Sequence, residues 1–579
     1  MKKFEKLTLA AQTVRHMKAE QWLWRGIYTF NSKVLPAKKV RIPQITEIRP
    51  LLHVYSCPCE PDTEQANALC KGEFTLVSGQ KAAFDGEIDW DMAGNTYRLM
   101  CFRLNSFDWL LTLSDAYLKT GEQRYIKRGL ELIRHWQDRC GSHVQGDKWN
   151  PYVIAGRLMN WIGFVSRYAG EEKTEIAGWI AAQAKVLASS VEYQLGANHL
   201  LSEGKALMYA GAFTKNDKLY RKGKKLLLRE FPRQFLKDGG HYERSVSYHV
   251  ESLQQYFEAA QLMRLLEDAD WEAFAARLET PYAFLSGMLG ETGEIPLFND
   301  AALDYPMDAR DFLATSGLLF ETAAPGSRKG PYCSRWDREG RRLHADWRVS
   351  YSKLYPDTGF YTDRFAGNTL FFHAGDHGPD CNLGHTHADS LSVLWTSDRG
   401  EMFADSGVYT YAPGEDRNAC RATAAHNTVE VDGVDSAQVW GAFRVAKRGH
   451  TRILEVNDRG ITAEHDGYCK ILSDPVLHRR TLTRGNEGEI FSVTDLLIPH
   501  KQTHTAVLRF HLAPGCSARL LDRHRVLLRE GYVLWCSEAV TLEKSRVARY
   551  FGRPEETVCI TVKFEIQGET TVKTAVSAI

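Results

Sequence analysis

The chain has 579 residues, too many for one ordinary hydrophobic core, so two or more domains are expected. Hydrophobic residues make up 44% and charged residues 25%, the balance of an ordinary globular protein. Lys and Arg number 73 against 72 Asp and Glu; this near-neutrality excludes a partner recognised by a global basic surface, such as nucleic acid, but permits a local basic cleft.

In chain order, the N-terminal stretch MKKFEKLTLAAQTVRHMKAEQW starts basic but lacks the continuous apolar run of a signal peptide. No later run reaches the roughly 18 apolar residues of a membrane span. Twelve cysteines are scattered. Cys57 and Cys59 are separated by one residue rather than the two of common zinc or redox motifs. These features predict free thiols and cytoplasmic residence, unless an export segment was removed.

From about residue 100 to 290, apolar residues recur at three- and four-residue spacing. FDWLLTLSDAYLKTG, QRYIKRGLELIRHWQDR, YVIAGRLMNWIGFVSRYAG and AGWIAAQAKVLASSVEYQLG read as successive amphipathic helices. LSEGKALMYAGAFT, DKLYRKGKKLLLREF, VESLQQYFEAAQLMRLLE and ETPYAFLSGMLG continue the series. Short breaks between them predict antiparallel helical hairpins. The Gly-, Arg- and Pro-rich segment from Ala323 to Asp346 is the expected connection. Beyond it come short β-rich runs, among them TLFFHAG, SLSVLW, NTVEVDG, IFSVTDLLI, HTAVLRFHLA and VCITVKFEI, punctuated by Gly, Asp and Asn. They predict antiparallel sheets in a sandwich. The expected domains are a mainly helical one over 1–340 and a β-sandwich over 341–579.

Three constellations carry chemistry. Asn198-His199 lies at a helix boundary, where Asn alone would be read as a cap or turn residue. DGGHYERSVSYH (238–249) follows a turn signal with a dense set of titratable groups, including His241, Glu243, Arg244 and Tyr248. GHTHADSLS (384–392) holds His385, His387 and Asp389; on an extended segment, side chains two apart share a face. His387 with Asp405 and His426 is a zinc-compatible donor set, and Asp389 is a candidate orienting partner.

Together the motifs NH (198–199), DGGHYERSVSYH, GHTHADSLS, ADSG (404–407) and HNTVEVDG (426–433) resemble those of the heparinase II/III family of polysaccharide lyases. The resemblance spans most of the chain and implies an N-terminal (α/α) toroid, an incomplete barrel, followed by a C-terminal antiparallel β-sandwich. It implies β-elimination on an acidic, uronate-containing polysaccharide, either a heparin- or heparan sulfate-like glycosaminoglycan or a bacterial exopolysaccharide. Asn198 would bind the uronate carboxyl, with His199 beside it. Tyr248 would act as base and acid, its pKa lowered from about 10 by a cationic surrounding, and His385 would assist. His387, Asp405 and His426 would hold a structural divalent metal, zinc by donor type. Arg157, Glu243 and Arg244 would contact substrate, although Arg157 also fits a helix-surface ion pair. Two other readings remain at this point: a glycoside hydrolase pairing Glu243 with Asp300, and a non-catalytic polysaccharide-binding protein.

Overall fold

The computed structural model describes residues 3–33, 39–51, 62–313, 316 and 351–579, apart from single positions 169, 291, 306, 311, 487 and 530. Cys57, Cys59, the segment Ala323–Asp346 and the expected domain boundary lie outside the described residues. The nine described cysteines are all free thiols. No helix among the described residues is long and apolar enough to cross a membrane.

The helices read from the sequence are realised as Leu110–Thr120, Gln123–Cys140, Pro151–Val165, Lys173–Ser190, Ala197–Phe213, Asp217–Gln234, Val246–Leu265 and Glu279–Gly287, and Arg98–Ser106 precedes them. In Gln123–Cys140 the buried residues Ile126, Leu130, Ile133 and Gln137 recur every three or four positions along one face. The start of Pro151–Val165 is set locally: Asn150 accepts from the Tyr152 N–H, and Pro151 takes the first helical position. Helix Ala197–Phe213 is the hub, packed on Pro151–Val165, Lys173–Ser190, Asp217–Gln234 and Val246–Leu265. Its approach to Asp217–Gln234 requires glycine, because a Cβ on Gly223 would lie 2.3 Å from the Gly204 carbonyl oxygen.

Two helices that the sequence reading did not place, Lys3–Val14 and Ala19–Lys33, tie the two halves together. Gln21 donates to the carbonyls of Gln194 (3.4 Å) and Cys381 (3.2 Å), and Thr13 donates to that of Val445 (3.1 Å). Trp24 packs on Tyr193 with ring centroids 4.5 Å apart.

The described strands pair antiparallel. Among the described residues, one sheet runs 451–457, 460–465, 476–484, 489–499, 570–578, 532–536, 525–528 and 518–520 in spatial order. A four-stranded sheet runs 540–550, 553–566, 504–511 and 429–431, and shares a core with it through Val429, Leu508, Ile560, Val493 and Val576. A third sheet, 351–355, 360–365, 368–373, 393–397 and 400–403, forms the junction. Its side chains alternate: Phe360, Phe371 and Leu394 enter the helical core, while Tyr361, Leu370, Phe372, Val393 and Trp395 enter the sandwich core. Each fully buried apolar side chain contributes about 1.5–3 kcal/mol, against about 0–1 for an exposed ion pair. Apolar packing across this sheet therefore holds the halves together, and the polar groups at their rim are left for chemistry.

Candidate active site

The helical wall of the site is gathered by one carboxylate. A tight turn with Gly196 at φ +72 sends the chain into helix Ala197–Phe213 and brings Asn198 and His199 to its first turn. Asn198 Nδ2 donates to Glu251 Oε1 at 3.1 Å. The same oxygen accepts from Tyr152 Oη at 3.1 Å, and Glu251 Oε2 accepts from Tyr305 Oη at 3.0 Å. His199 stacks on Tyr152 (4.3 Å, 24°) and bonds Glu192 through Nδ1 at 2.8 Å. Burial lowers the His199 pKa, but Glu192 outweighs it and holds the imidazole above its ordinary value.

Tyr248 sits in the first turn of helix Val246–Leu265, whose cap is Ser245. The Ser245 hydroxyl accepts from the Tyr248 N–H and donates to the Asp300 carbonyl at 2.5 Å. The cap thereby anchors the tyrosine helix to the loop Phe298-Asn299-Asp300. That loop reaches the sandwich: the Asp300 N–H donates to the His385 carbonyl (3.0 Å), and Asn299 Oδ1 accepts from the His387 N–H (2.8 Å). Buried Asp300 receives His385 Nδ1 on one oxygen and His387 Nε2 on the other, each at 2.9 Å, and pairs with both ends of the Arg417 guanidinium. Burial would raise its pKa; Arg417, His385 and His387 instead hold it well below the usual carboxylate range.

The walls meet at Tyr248. Its ring lies on that of His385 at 3.7 Å and 28°, and its hydroxyl is 2.8 Å from that of Tyr411. The expected lowering of the Tyr248 pKa is not found. Burial, then Tyr411, Tyr305, Glu251 and Asp300, drive it well above 10, because the nearby groups are hydroxyls and carboxylates while the nearby arginine is already neutralised. Resting Tyr248 is a neutral phenol.

GHTHADSLS is not the extended segment expected; its first residues form turns. His385 and His387 still address one group, the two oxygens of Asp300, but from different depths: His385 is part-exposed and His387 is buried. The ligand atoms of His387, Asp405 and His426 lie within 4.8 Å of one another, and all three residues are buried. His387 Nδ1 and His426 Nε2 have no hydrogen-bond partner, while Asp405 Oδ2 lies 2.9 Å from His426 Nδ1. Buried imidazole nitrogens left unpaired beside a carboxylate fit a divalent metal. Asp389 is not their orienting partner. It pairs with His373 at 3.1 Å, and Asp300 fills the role expected of it beside His387.

Two expected substrate contacts, Arg157 and Arg244, fall elsewhere, while Glu243 stays among the charges of the site. Arg157 is fully buried, bonded to Gln183, to the carbonyls of Asn105 and Lys148, and laid on Trp136 at 4.0 Å. It is neither a cleft residue nor a surface ion pair; an apolar helix with one Arg buries it when carbonyls and an indole face receive the guanidinium. Arg244 donates to the carbonyls of Asp376 (2.5 Å) and Asp357 (3.2 Å) across the junction, so its charge is spent on backbone. Glu243 is buried with neither carboxylate oxygen hydrogen-bonded, the nearest basic atom among the described residues being His241 Nδ1 at 3.8 Å, and burial pushes its pKa up to about 7. The pairing of Glu243 with Asp300 as hydrolase acids fails, since Asp300 is committed to three basic side chains.

Several site residues escaped the sequence reading. Glu251 lies three positions after Tyr248 on one helix face, a spacing that marks a shared site. Tyr152, Tyr305, Tyr411 and Arg417 carry no local signal that separates them from ordinary core or surface residues.

A helical half closed by an antiparallel sandwich, with a tyrosine–histidine stack and an asparagine at their junction, defines a toroid-and-sandwich protein with a polar cleft between its halves. Two family models account for most of the chain: "Heparinase II/III N-terminus" matches residues 56–315, and "Heparinase II/III-like, C-terminal" matches residues 348–575. The chain belongs to the heparinase II/III family. A heparin-sulfate lyase of Bacteroides thetaiotaomicron is 22% identical over 479 residues, 76% of this chain and 64% of that protein. One of Bacteroides stercoris is 23% identical over 438 residues, 68% of this chain and 63% of that protein. The chain thus spans less than two thirds of these curated relatives. A crystal structure of heparinase III superposes with TM-score 0.73 at 18% identity, covering 96% of this chain and 90% of that one, and shares the fold.

Proposed function

We propose that this chain is a polysaccharide lyase that cleaves a uronic-acid-containing polymer by β-elimination. The observation that carries the reading is the contact of Tyr248 with both His385 and Tyr411 across the junction, on the same wall as Asn198. The proton beside a uronate carboxyl is weakly acidic, and the charge that builds on its removal needs fixed donors. Asn198, released from Glu251, would donate to that carboxyl, with His199 flanking it. Asp300 at Nδ1 keeps that nitrogen of His385 protonated and leaves Nε2 as an acceptor.

His385 Nε2 therefore takes the proton, and neutral Tyr248 gives its own to the leaving glycosidic oxygen as the carbon–oxygen bond breaks and the carbon–carbon double bond forms. Net return of a proton to the Tyr248 oxygen and loss of one from His385, through solvent after the product leaves, restores the site without consuming water. On this reading the base role expected of Tyr248 passes to His385, whose Nε2 is left free by the Asp300 contact at Nδ1, and the tyrosine is kept as acid. His387, Asp405 and His426 would hold a divalent metal, zinc by its donors, which when bound supplies a cross-link steadying the turn that carries His385.

The relatives' identity as heparin-sulfate lyases supports a heparan sulfate-like substrate. The test is a panel of heparin, heparan sulfate, hyaluronan, alginate and bacterial acidic polymers, read by near-ultraviolet absorbance of the unsaturated product. Absorbance with heparan sulfate is expected. Absorbance with another polymer alone would replace the substrate, and new reducing ends without any absorbance would overturn the reaction.

A further inference from the structure

A second group of metal-type ligands lies outside the His387 centre. The chain leaves helix Lys173–Ser190, turns through Glu192 to Gly196, and enters helix Ala197–Phe213. The turn is closed by the Leu195 and Gly196 N–H groups donating to the Glu192 carbonyl. It folds Glu192 back against the helix it precedes, where its N–H donates to Glu203 Oε2 at 2.9 Å. Glu192 and Glu203 are buried, and a carboxylate oxygen of each lies within 4.8 Å of the other and of a His199 ring nitrogen.

Two carboxylates cannot both stay charged and buried at this separation without a compensating charge. Among the described residues, His199 is the one basic side chain that pairs with either, and it pairs with Glu192 alone. Glu203 Oε1 has no hydrogen-bond partner although the residue is fully buried. A single proton shared by the carboxyls, with His199 Nδ1 still hydrogen-bonded to Glu192, is the competing arrangement. A cation satisfies all three donors at once. We propose that Glu192, His199 and Glu203 form a divalent-cation site, taking an ion that accepts mixed oxygen and imidazole ligands, such as Mn²⁺ or Zn²⁺.

The site is coupled to the cleft through one ring. His199 stacks on Tyr152, which shares Glu251 with Asn198. A cation on Nδ1 leaves the one imidazole proton on Nε2, so His199 becomes a hydrogen-bond donor of fixed tautomer. Trp24, packed on Tyr193, brings helix Ala19–Lys33 over the same turn.

The test measures binding of Mn²⁺ to the full chain after dialysis against a chelator, with bound ion read by electron paramagnetic resonance; it uses no activity and stands apart from the lyase reading. Wild type is expected to bind one equivalent more than Glu203→Gln, with nitrogen coupling from His199 that disappears in His199→Gln. The glutamine amide can donate where a shared proton would sit, so Glu203→Gln remains well packed if the proton explanation is correct. Equal stoichiometry in wild type and both variants would overturn the site and assign the pair a shared proton. If Glu203→Gln does not fold, the part-exposed His199→Gln decides alone: unchanged Mn²⁺ binding there refutes the proposal.

Discussion

Glu251 and Asp300 each organise one wall of the same cleft, and they do it with opposite kinds of partner. Glu251 collects neutral donors: an amide and two phenols. Asp300 collects an arginine and two imidazoles, and its pKa is held down by them. A carboxylate that binds neutral donors can release them to an arriving carboxylate of the substrate. One that neutralises a buried guanidinium cannot be disturbed without exposing an uncompensated charge. The helical wall is therefore built to exchange partners, and the sandwich wall is built to stay fixed.

The comparison can be broken most sharply where the walls touch. Tyr248→Phe removes the shared acid and should cut lyase turnover by about 10²–10⁴-fold with an unchanged melting curve; near-normal turnover would remove Tyr248 from the chemistry. Asp300→Ala strands Arg417 and should cost about 3–5 kcal/mol in denaturant unfolding, with activity falling in parallel.

Glu243 tests the pH side of the same contrast. Its folded pKa, about 7, lies above the ordinary glutamate value of 4.5, so the native state binds more protons between those values. Stability contributed by the neutral acid is present at low pH and is lost as pH rises through about 7. Glu243→Gln should then gain up to about 3 kcal/mol over wild type at pH 8 relative to pH 4.5, and a pH-independent difference would show that the folded state does not raise the carboxyl's pKa. The smallest effect is expected from Glu251→Gln. Its carbonyl oxygen still accepts from Asn198 and Tyr152, and its NH2 can donate to a Tyr305 hydroxyl turned to accept, so stability should change by only about 1 kcal/mol, read by thermal melting. A loss as large as that of Asp300→Ala would erase the distinction between the walls.

Much of this site was legible because its chemistry is clustered along the chain. Asn198-His199, the Glu243–Tyr248 run and the His385–His387 pair are each a few residues long, and the structure brings all three to the junction. The two organising carboxylates were harder to see. Asp300 meets Arg417 from 117 positions away, and nothing local distinguishes a fixed counter-ion from a hydrolytic acid. The fate of Arg157 depended on tertiary packing, since the same apolar helix permits a cleft, surface or core position. Helices between 100 and 290 followed their periodicity closely. Long outer strands such as Val540–Tyr550 were missed because much of their surface faces solvent and mimics a polar loop.

The central claim is elimination without water at the junction of Tyr248 and His385. It is tested most directly by weighing all products of exhaustive digestion of one defined uronate oligosaccharide. The account predicts product masses that sum to the substrate mass, with an unsaturated residue at one new end. Products that together exceed the substrate by one water per cleavage would contradict it.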